Sequence, residues 1–216
     1  MNRAATPYEK TGRTAQKART RRALLDATAG FLDEGISPTV EQAADRAGIS
    51  RTTAYRYFPN QRLLLAAIDP ELEAPSLLGP DAPGDVHTRL ELTLDRYLEH
   101  LIRREAAQRT QLRLSLESRR GDGDGDGGPP LPLRQGRAIA WLEHALAPLR
   151  DRMTAAEVHR LALSIRATTG IESLVWLTDI AGLSRPEAVA LMRHSARTLL
   201  RAALDAAPQP PPGVTR

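Results

Sequence analysis

The sequence predicts an all-α protein in which a small N-terminal helical domain is joined to a larger helical one. Three observations carry that prediction. Apolar residues recur at the helical spacing i, i+3, i+4, i+7, as in Val40, Ala43, Ala44 and Ala47. Capping boxes, a Ser or Thr three residues before a Glu or Gln, open three stretches at Thr39/Gln42, Thr154/Glu157 and Ser184/Glu187. Glycines and prolines then mark where the periodic stretches stop, at Gly35, Gly48, Pro70 and Pro208 among others.

Residues 1 to about 13 are polar, include Pro7 and Gly12, and read as disordered. Lys17, Arg19, Arg21 and Arg22 lead into a first helix with a core face of Leu24, Thr28, Phe31 and Leu32, ending near Gly35. The stretch Thr39–Phe58 follows as two short helices with a tight turn between them. Gly48 suits the left-handed conformation that ends the first, and Ser50 caps the second, with Ile49 placed to staple onto Ala54. The second helix carries Arg51, Thr52, Thr53, Tyr55, Arg56 and Tyr57. All can donate hydrogen bonds to phosphates or base edges, and none is acidic. By spacing alone an ordinary helical hairpin with a solvated face fits; the donor set is what suits a helix-turn-helix for the DNA major groove. Leu24, Phe31, Val40, Ala44, Ile49 and Phe58 are expected to share one core. Asn60 caps a fourth helix, Gln61–Ile68, stopped ahead of Pro70.

From Asp69 to Gly84, prolines at 70, 75, 80 and 83 predict an irregular crossing and a domain boundary, separating residues 14–69 from 85–207. Leu90, Leu94, Tyr97, Leu98, Leu101 and Ile102 then form a helical stripe, continuing loosely through Leu112 and Leu116, and Ile139, Leu142, Leu146 and Leu149 form another. A long helix is predicted over Thr154–Asp179 and a last one over Ser184–Ala206, with Pro186 in its first turn and Val189, Met192, Ala196, Leu199 and Leu200 on its stripe. The intervening loop is so short that the two must run antiparallel. Their small and aliphatic residues, Ala162, Ala167, Gly170 and Ile171 with Ala188, Val189 and Ala196, suit either close packing against a second copy or burial within one subunit. The Pro-rich end PQPPPGVTR reads as disordered. In GDGDGDGGPP, Asp122, Asp124, Asp126 and Gly127 copy the first half of a calcium loop, but its twelfth position is Leu133 instead of a glutamate. A flexible acidic loop is expected there, and no metal site.

Composition narrows the function classes. The 216 residues include no cysteine, which removes disulfides, thiolate metal sites and cysteine nucleophiles together. No run approaches the roughly 18 apolar residues of a membrane span, and the N-terminus shows no apolar signal core, so a cytoplasmic protein is expected. Residues 1–69 hold 11 Lys/Arg against 7 Asp/Glu, whereas the rest holds 19 of each. A basic end on a neutral body fits phosphate binding by one part only. The five histidines form no H-x-x-x-H pair and there is no Gly-rich phosphate loop, so neither catalysis nor a cofactor is expected.

The run A-x-x-A-G-I-S-R-x-T-x-Y-R-Y-F over 44–58, followed by an apolar helix, resembles the DNA-binding domain of the TetR family of one-component transcriptional regulators. The resemblance spans Thr14–Ile68, a quarter of the chain. It implies that Arg51, Thr52 and Thr53 read base edges, and that Tyr55, Tyr57 and Thr39 hold phosphates with Arg56 beside them. The N-terminal end of the first helix would approach the backbone of double-stranded DNA, a role that Lys17 and Arg19 suit through charge. Two positions depart from the pattern. Gln61 stands where most members carry a phosphate-touching lysine, with Arg62 next to it as a possible substitute, and Ala54 stands where a larger aliphatic side chain is usual. The resemblance further implies a homodimer formed through the last two long helices, on a palindromic operator. It also implies a repressor released by a small-molecule effector whose identity the sequence leaves open. Arg113, Trp141, His144, Arg166, Thr169, Glu172 and Trp176 are the candidate lining of the effector pocket. Glu172 either meets a ligand or pairs with Arg113 or Arg166. The competing reading is an architectural or protein-regulated dimeric DNA binder with no small-molecule ligand.

Overall fold

The computed structural model describes residues 7–68, 74–117 and 136–206, with side chains from Thr14 onward. All regular structure among these residues is helical. They divide into two compact units, one of residues 7–68 with 110–117 and the other of 74–109 with 136–206. The half calcium-loop frame at Asp122–Gly127 and the Pro-rich segment after Pro208 lie outside the described residues.

In the first unit, α1 (Pro7–Asp33) starts several residues earlier than expected, so the end read as disordered is helical from Pro7 on. Proline is compatible with a first helical position, because its missing N–H would be unpaired there in any case. α1 and α2 (Val40–Ala47) close alike. Ile36 N–H donates to Phe31 O and Gly35 N–H to Leu32 O, while Ile49 N–H donates to Ala44 O and Gly48 N–H to Asp45 O. This pairing needs a left-handed residue, and Gly35 and Gly48 have φ of 77° and 67°. At the other end of α2 both halves of the Thr39/Gln42 capping box form. Ser50 accepts from Thr53 N–H at the start of α3 (Arg51–Tyr57), and Asn60 accepts from Leu63 N–H at the start of α4 (Gln61–Ala66).

The core of this unit joins Leu24, Val40, Ala43, Ala44, Ala54, Phe58 and Leu64, with Ile49 packed at its edge. Burying each leucine contributes roughly 1.5–3 kcal/mol. Phe31 departs from the expected set. It is half-buried, with the Arg46 guanidinium 3.3 Å from its ring centroid and that guanidinium paired two-fold with Glu34. Ala54 is fully buried, which explains why a small residue is accommodated there.

α5 (Val86–Arg103) buries Leu90, Leu94, Tyr97, Leu98 and Leu101 as its stripe predicts. The extension to Leu116 fails. Arg104 leaves the helical conformation and α6 (Glu105–Glu117) starts in a new phase, so Leu116 is 78% exposed. Ala107, Thr110, Gln111 and Leu114 take the buried positions instead. α6 contributes its first residues to the second unit and, from Thr110, its later ones to the first.

The second unit begins with an irregular segment held in place by its neighbours. Trp141 Nε1 donates to Ala74 O at 2.7 Å, Arg96 to Leu77 O at 2.6 Å, and Ser76 Oγ meets His144 Nδ1 at 2.6 Å. α7 (Arg137–Ala145) runs into a 3-10 turn at Ala147–Asp151, where Pro148 sits in the opening turn. Arg89, almost fully buried, donates to the carbonyls of His144, Ala145 and Pro83, thereby capping the end of α7.

The helix predicted over Thr154–Asp179 is interrupted. α8 (Ala155–Thr169) stops at Gly170, whose ψ of 178° is extended, before the short α9 (Ile171–Val175) and a π-helical turn at Trp176–Ile180. α10 (Arg185–Ala206) follows with Ser184 and Glu187 hydrogen-bonded as a cap. Ala162, Ile171, Ala188 and Ala196 are fully buried inside the unit, while Ala167 is exposed and Val189 half-buried. These small residues therefore serve α8–α10 packing and do not make one outward face.

Candidate nucleic-acid interface

One helix face decides which side chains of α3 can meet a partner. Ala54 and Phe58 point inward, which leaves Arg51, Thr52, Tyr55 and Arg56 exposed together on the opposite side. Thr53 and Tyr57 flank them half-buried, and the Thr53 hydroxyl accepts from Ser50 Oγ at 2.9 Å.

The acidic residues of α2 touch this face. The Tyr55 hydroxyl donates to the Glu41 carboxylate. That bond, the Glu41 backbone N–H and the Thr39 hydroxyl hold the Glu41 carboxyl below its usual range, and the same bond to Glu41 pushes the Tyr55 phenol up. Two of the three expected phosphate holders, Thr39 and Tyr55, thus converge on one anionic oxygen pair. Arg51 lies 3.5 Å from Asp45 in a pair exposed on both sides. Exposed pairs of this kind are worth about 0–1 kcal/mol, so the guanidinium exchanges readily for a stronger acceptor.

Lys17 is exposed on α1. Arg21, read from the sequence only as part of the basic run before the first helix, sits 5.7 Å from the Phe58 ring centroid and so stands beside the end of α3. Gln61 takes a different task from the lysine it replaces in the pattern. Its Nε2 donates to Ser37 O and Pro38 O at 3.1 and 3.0 Å, fastening the turn before α2 onto α4. Arg62 is half-buried next to it.

Of the seven residues expected around a pocket, the six in the second unit are held largely by protein partners: Trp141 and His144 bond the 74–76 segment, and Arg166 pairs with Glu172. Arg113 belongs to the first unit, where it is exposed and pairs with Glu117 at 3.0 Å. Thr169 is buried with its hydroxyl donating to Ile165 O, His144 is exposed, and Trp176 is 56% exposed. Arg166 and Glu172 pair at 3.2 Å, which resolves the two possible partners of Glu172 in favour of Arg166. Trp141 borders a cleft, an open hollow of about 360 Å³ lined by Ala74, Pro75, Arg137, Ala140 and Trp141. Among the described residues no group of His, Asp and Glu is arranged to hold a metal ion, and no helix is long and apolar enough to cross a membrane.

These features define a helical protein with an N-terminal helix-turn-helix head followed by a helical body. The chain is similar to SmeT in its triclosan complex, with 21% identity, 91% of this chain and 95% of that one covered, and a TM-score of 0.51. It is also similar to a TetR transcriptional regulator from Rhodococcus sp. RHA1, at 19% identity over 86% of this chain and 98% of that one, with a TM-score of 0.49. The SmeT likeness establishes a shared fold. No family model matches the chain, and no curated protein sequence matches it.

Proposed function

We propose that this chain is a TetR-family DNA-binding transcriptional regulator, acting as a homodimeric repressor on a palindromic operator. The observation that carries the proposal is the exposed α3 face of Arg51, Thr52, Tyr55 and Arg56, held rigid from behind by Ala54 and Phe58. Arg51 and Thr52 face base edges, with Thr53 at their flank. Tyr55 and Thr39 release Glu41 and take phosphate oxygens in its place, while Arg56, Tyr57 and Lys17 supply further backbone contacts. Leu163 on α8 and Leu191 on α10 remain exposed and support a second copy on these helices. A dimer places two α3 helices about 34–36 Å apart, one turn of DNA.

A small-molecule effector binding the second unit would favour a conformation whose α3 spacing no longer matches the operator. The cleft beside Trp141 offers room for a ligand. A hundredfold loss of operator affinity needs about 2.7 kcal/mol of differential binding between the two states. The protein partners already held by Glu172, in Arg166, and by the Thr169 hydroxyl, in Ile165 O, favour a second reading, a dimeric DNA binder regulated without any small molecule.

Selection of bound duplexes from a random pool tests the proposal, with Tyr55→Ala and Arg51→Ala run in parallel. An enriched palindrome is expected. Tyr55→Ala should weaken binding to all sequences alike, and Arg51→Ala should relax the preference at one position per half-site, each by about tenfold to a hundredfold. Salt-sensitive binding with no enriched sequence would sink the regulator and leave an architectural DNA binder.

A further inference from the structure

α4 is a six-residue helix, far below the length at which a helix is stable by itself, so its register depends on what grips it. Its start is held by the Asn60 cap and by Gln61. Its end has no glycine cap, and the group found there comes from α6. Gln111, 1% exposed, directs its side-chain amide at three backbone carbonyls, Leu65 O at 3.3 Å, Ala66 O at 3.1 Å and Ile68 O at 2.8 Å. All four residues lie in the first unit.

The pairing is lopsided. An amide NH₂ has two hydrogens, so three acceptors share two donors. On the other side of the same group, Gln111 Oε1 is buried with no hydrogen-bond partner among the described residues. An orphaned buried acceptor costs about 1–3 kcal/mol. A side chain whose role was only to fill core volume would do better as leucine or methionine. The retained amide is accounted for by what its nitrogen does, which is to close the end of α4. Of the three carbonyls, Leu65 O also accepts from Ile68 N–H.

We infer that Gln111 is a positioning residue for DNA binding: its side-chain N–H groups fix the carboxyl end of α4, and through α4 the helix-turn-helix that packs on Leu64. The inference rests on the DNA-binding reading given above. α4 follows α3 after three residues and contributes Leu64 to the core that backs the α3 face, so a frayed α4 loosens the support of Arg51 and Tyr55 without removing any contact to DNA.

The test is Gln111→Met in the full chain, a substitution that keeps side-chain length and removes both the donors and the orphaned acceptor. Hydrogen exchange of the Ala67 and Ile68 amides should accelerate more than tenfold, with a smaller acceleration at Ala54 and that of Ala43 within twofold. Affinity for the duplex enriched by the unaltered protein should fall at least tenfold. Unchanged exchange at Ala67 and Ile68, or acceleration spread evenly over α2 and α3, overturns the inference, as does wild-type affinity for that duplex. If the unaltered protein enriches no duplex, the DNA-binding reading fails on its own, whatever the exchange data say of the α4 clamp. Should Gln111→Met not fold, native-state exchange of the unaltered protein in sub-denaturing urea decides. Ala67 and Ile68 must then open together with Leu114 and Ser115 of α6; opening independently of them overturns the inference.

Discussion

Glu105 shows how one buried carboxylate can organise two arginines. It is almost fully buried, and Arg185 donates to it at 2.5 and 3.0 Å while Arg109 donates at 2.8 Å. Burial by itself pushes the Glu105 carboxyl up, but the hydrogen bonds from Arg185 and Arg109 outweigh it and leave the group below its usual range. Arg109 also grips Asp179 with two further bonds, at 2.6 and 2.8 Å, and these with the Thr178 hydroxyl lower the Asp179 carboxyl from 3.8 to about 2. A carboxyl depressed on folding stabilises the folded state above its unfolded pKa, and the contribution fades as pH falls through the folded one. Asp179→Asn should therefore destabilise the protein at pH 7. In denaturant titrations the gap to the unaltered protein should close as pH drops from about 4 towards about 2. A gap that stays constant over that window would place the role of Asp179 in packing instead of charge.

At the scale of elements, Gly170 separates what would otherwise be one helix. A Cβ built there would lie 1.6 Å from Arg166 Nη1 and 2.5 Å from Glu172 Oε2, so the ion pair occupies the space that any other residue would fill. The backbone itself, at φ −88° and ψ 178°, is open to alanine. Gly170→Ala should thus destabilise the protein while Arg166 is present, because the guanidinium has to move away from Glu172. In an Arg166→Ala background the penalty of the same change should shrink, because only the Glu172 carboxylate, at 2.5 Å, is left to move. Additive effects in this double-mutant cycle would show that the pair and the break are unrelated. The capping boxes are the contrasting case. Thr39/Gln42, Thr154/Glu157 and Ser184/Glu187 are local devices, and each forms where its spacing says it should.

For the whole molecule, the proposed dimer makes the sharpest demand. Leu163 and Leu191 are 40% and 42% exposed, too open to matter greatly for the fold of one subunit. Leu163→Glu with Leu191→Glu should yield a folded monomer by sedimentation, with a melting temperature close to that of a dissociated unaltered protein. Operator affinity should fall by two orders of magnitude or more, because two half-sites no longer act together. A doubly substituted protein that remains dimeric would show that the copies meet elsewhere, for which the exposed Trp176 and Ile180 are the next surface to probe.

The sequence by itself determined what is short-range. Helical class, the glycine stops at 35 and 48, the caps at Thr39, Ser50, Asn60 and Thr154, and the inward and outward sides of α3 all follow from residues within about one turn of each other, and the physics of a cap or a stripe is complete at that distance. Only the tertiary structure decided the rest. The phase of α6 was lost at Arg104, and its buried face of Ala107, Thr110, Gln111 and Leu114 keeps the helical spacing but is too polar to stand out in an apolar count. Gln111 reaches carbonyls more than forty residues away, Glu105 meets Arg185 eighty residues on, and Phe31 is covered by an arginine from the next helix instead of entering the core. Such contacts depend on which surfaces the folded chain brings together, and no local spacing encodes them.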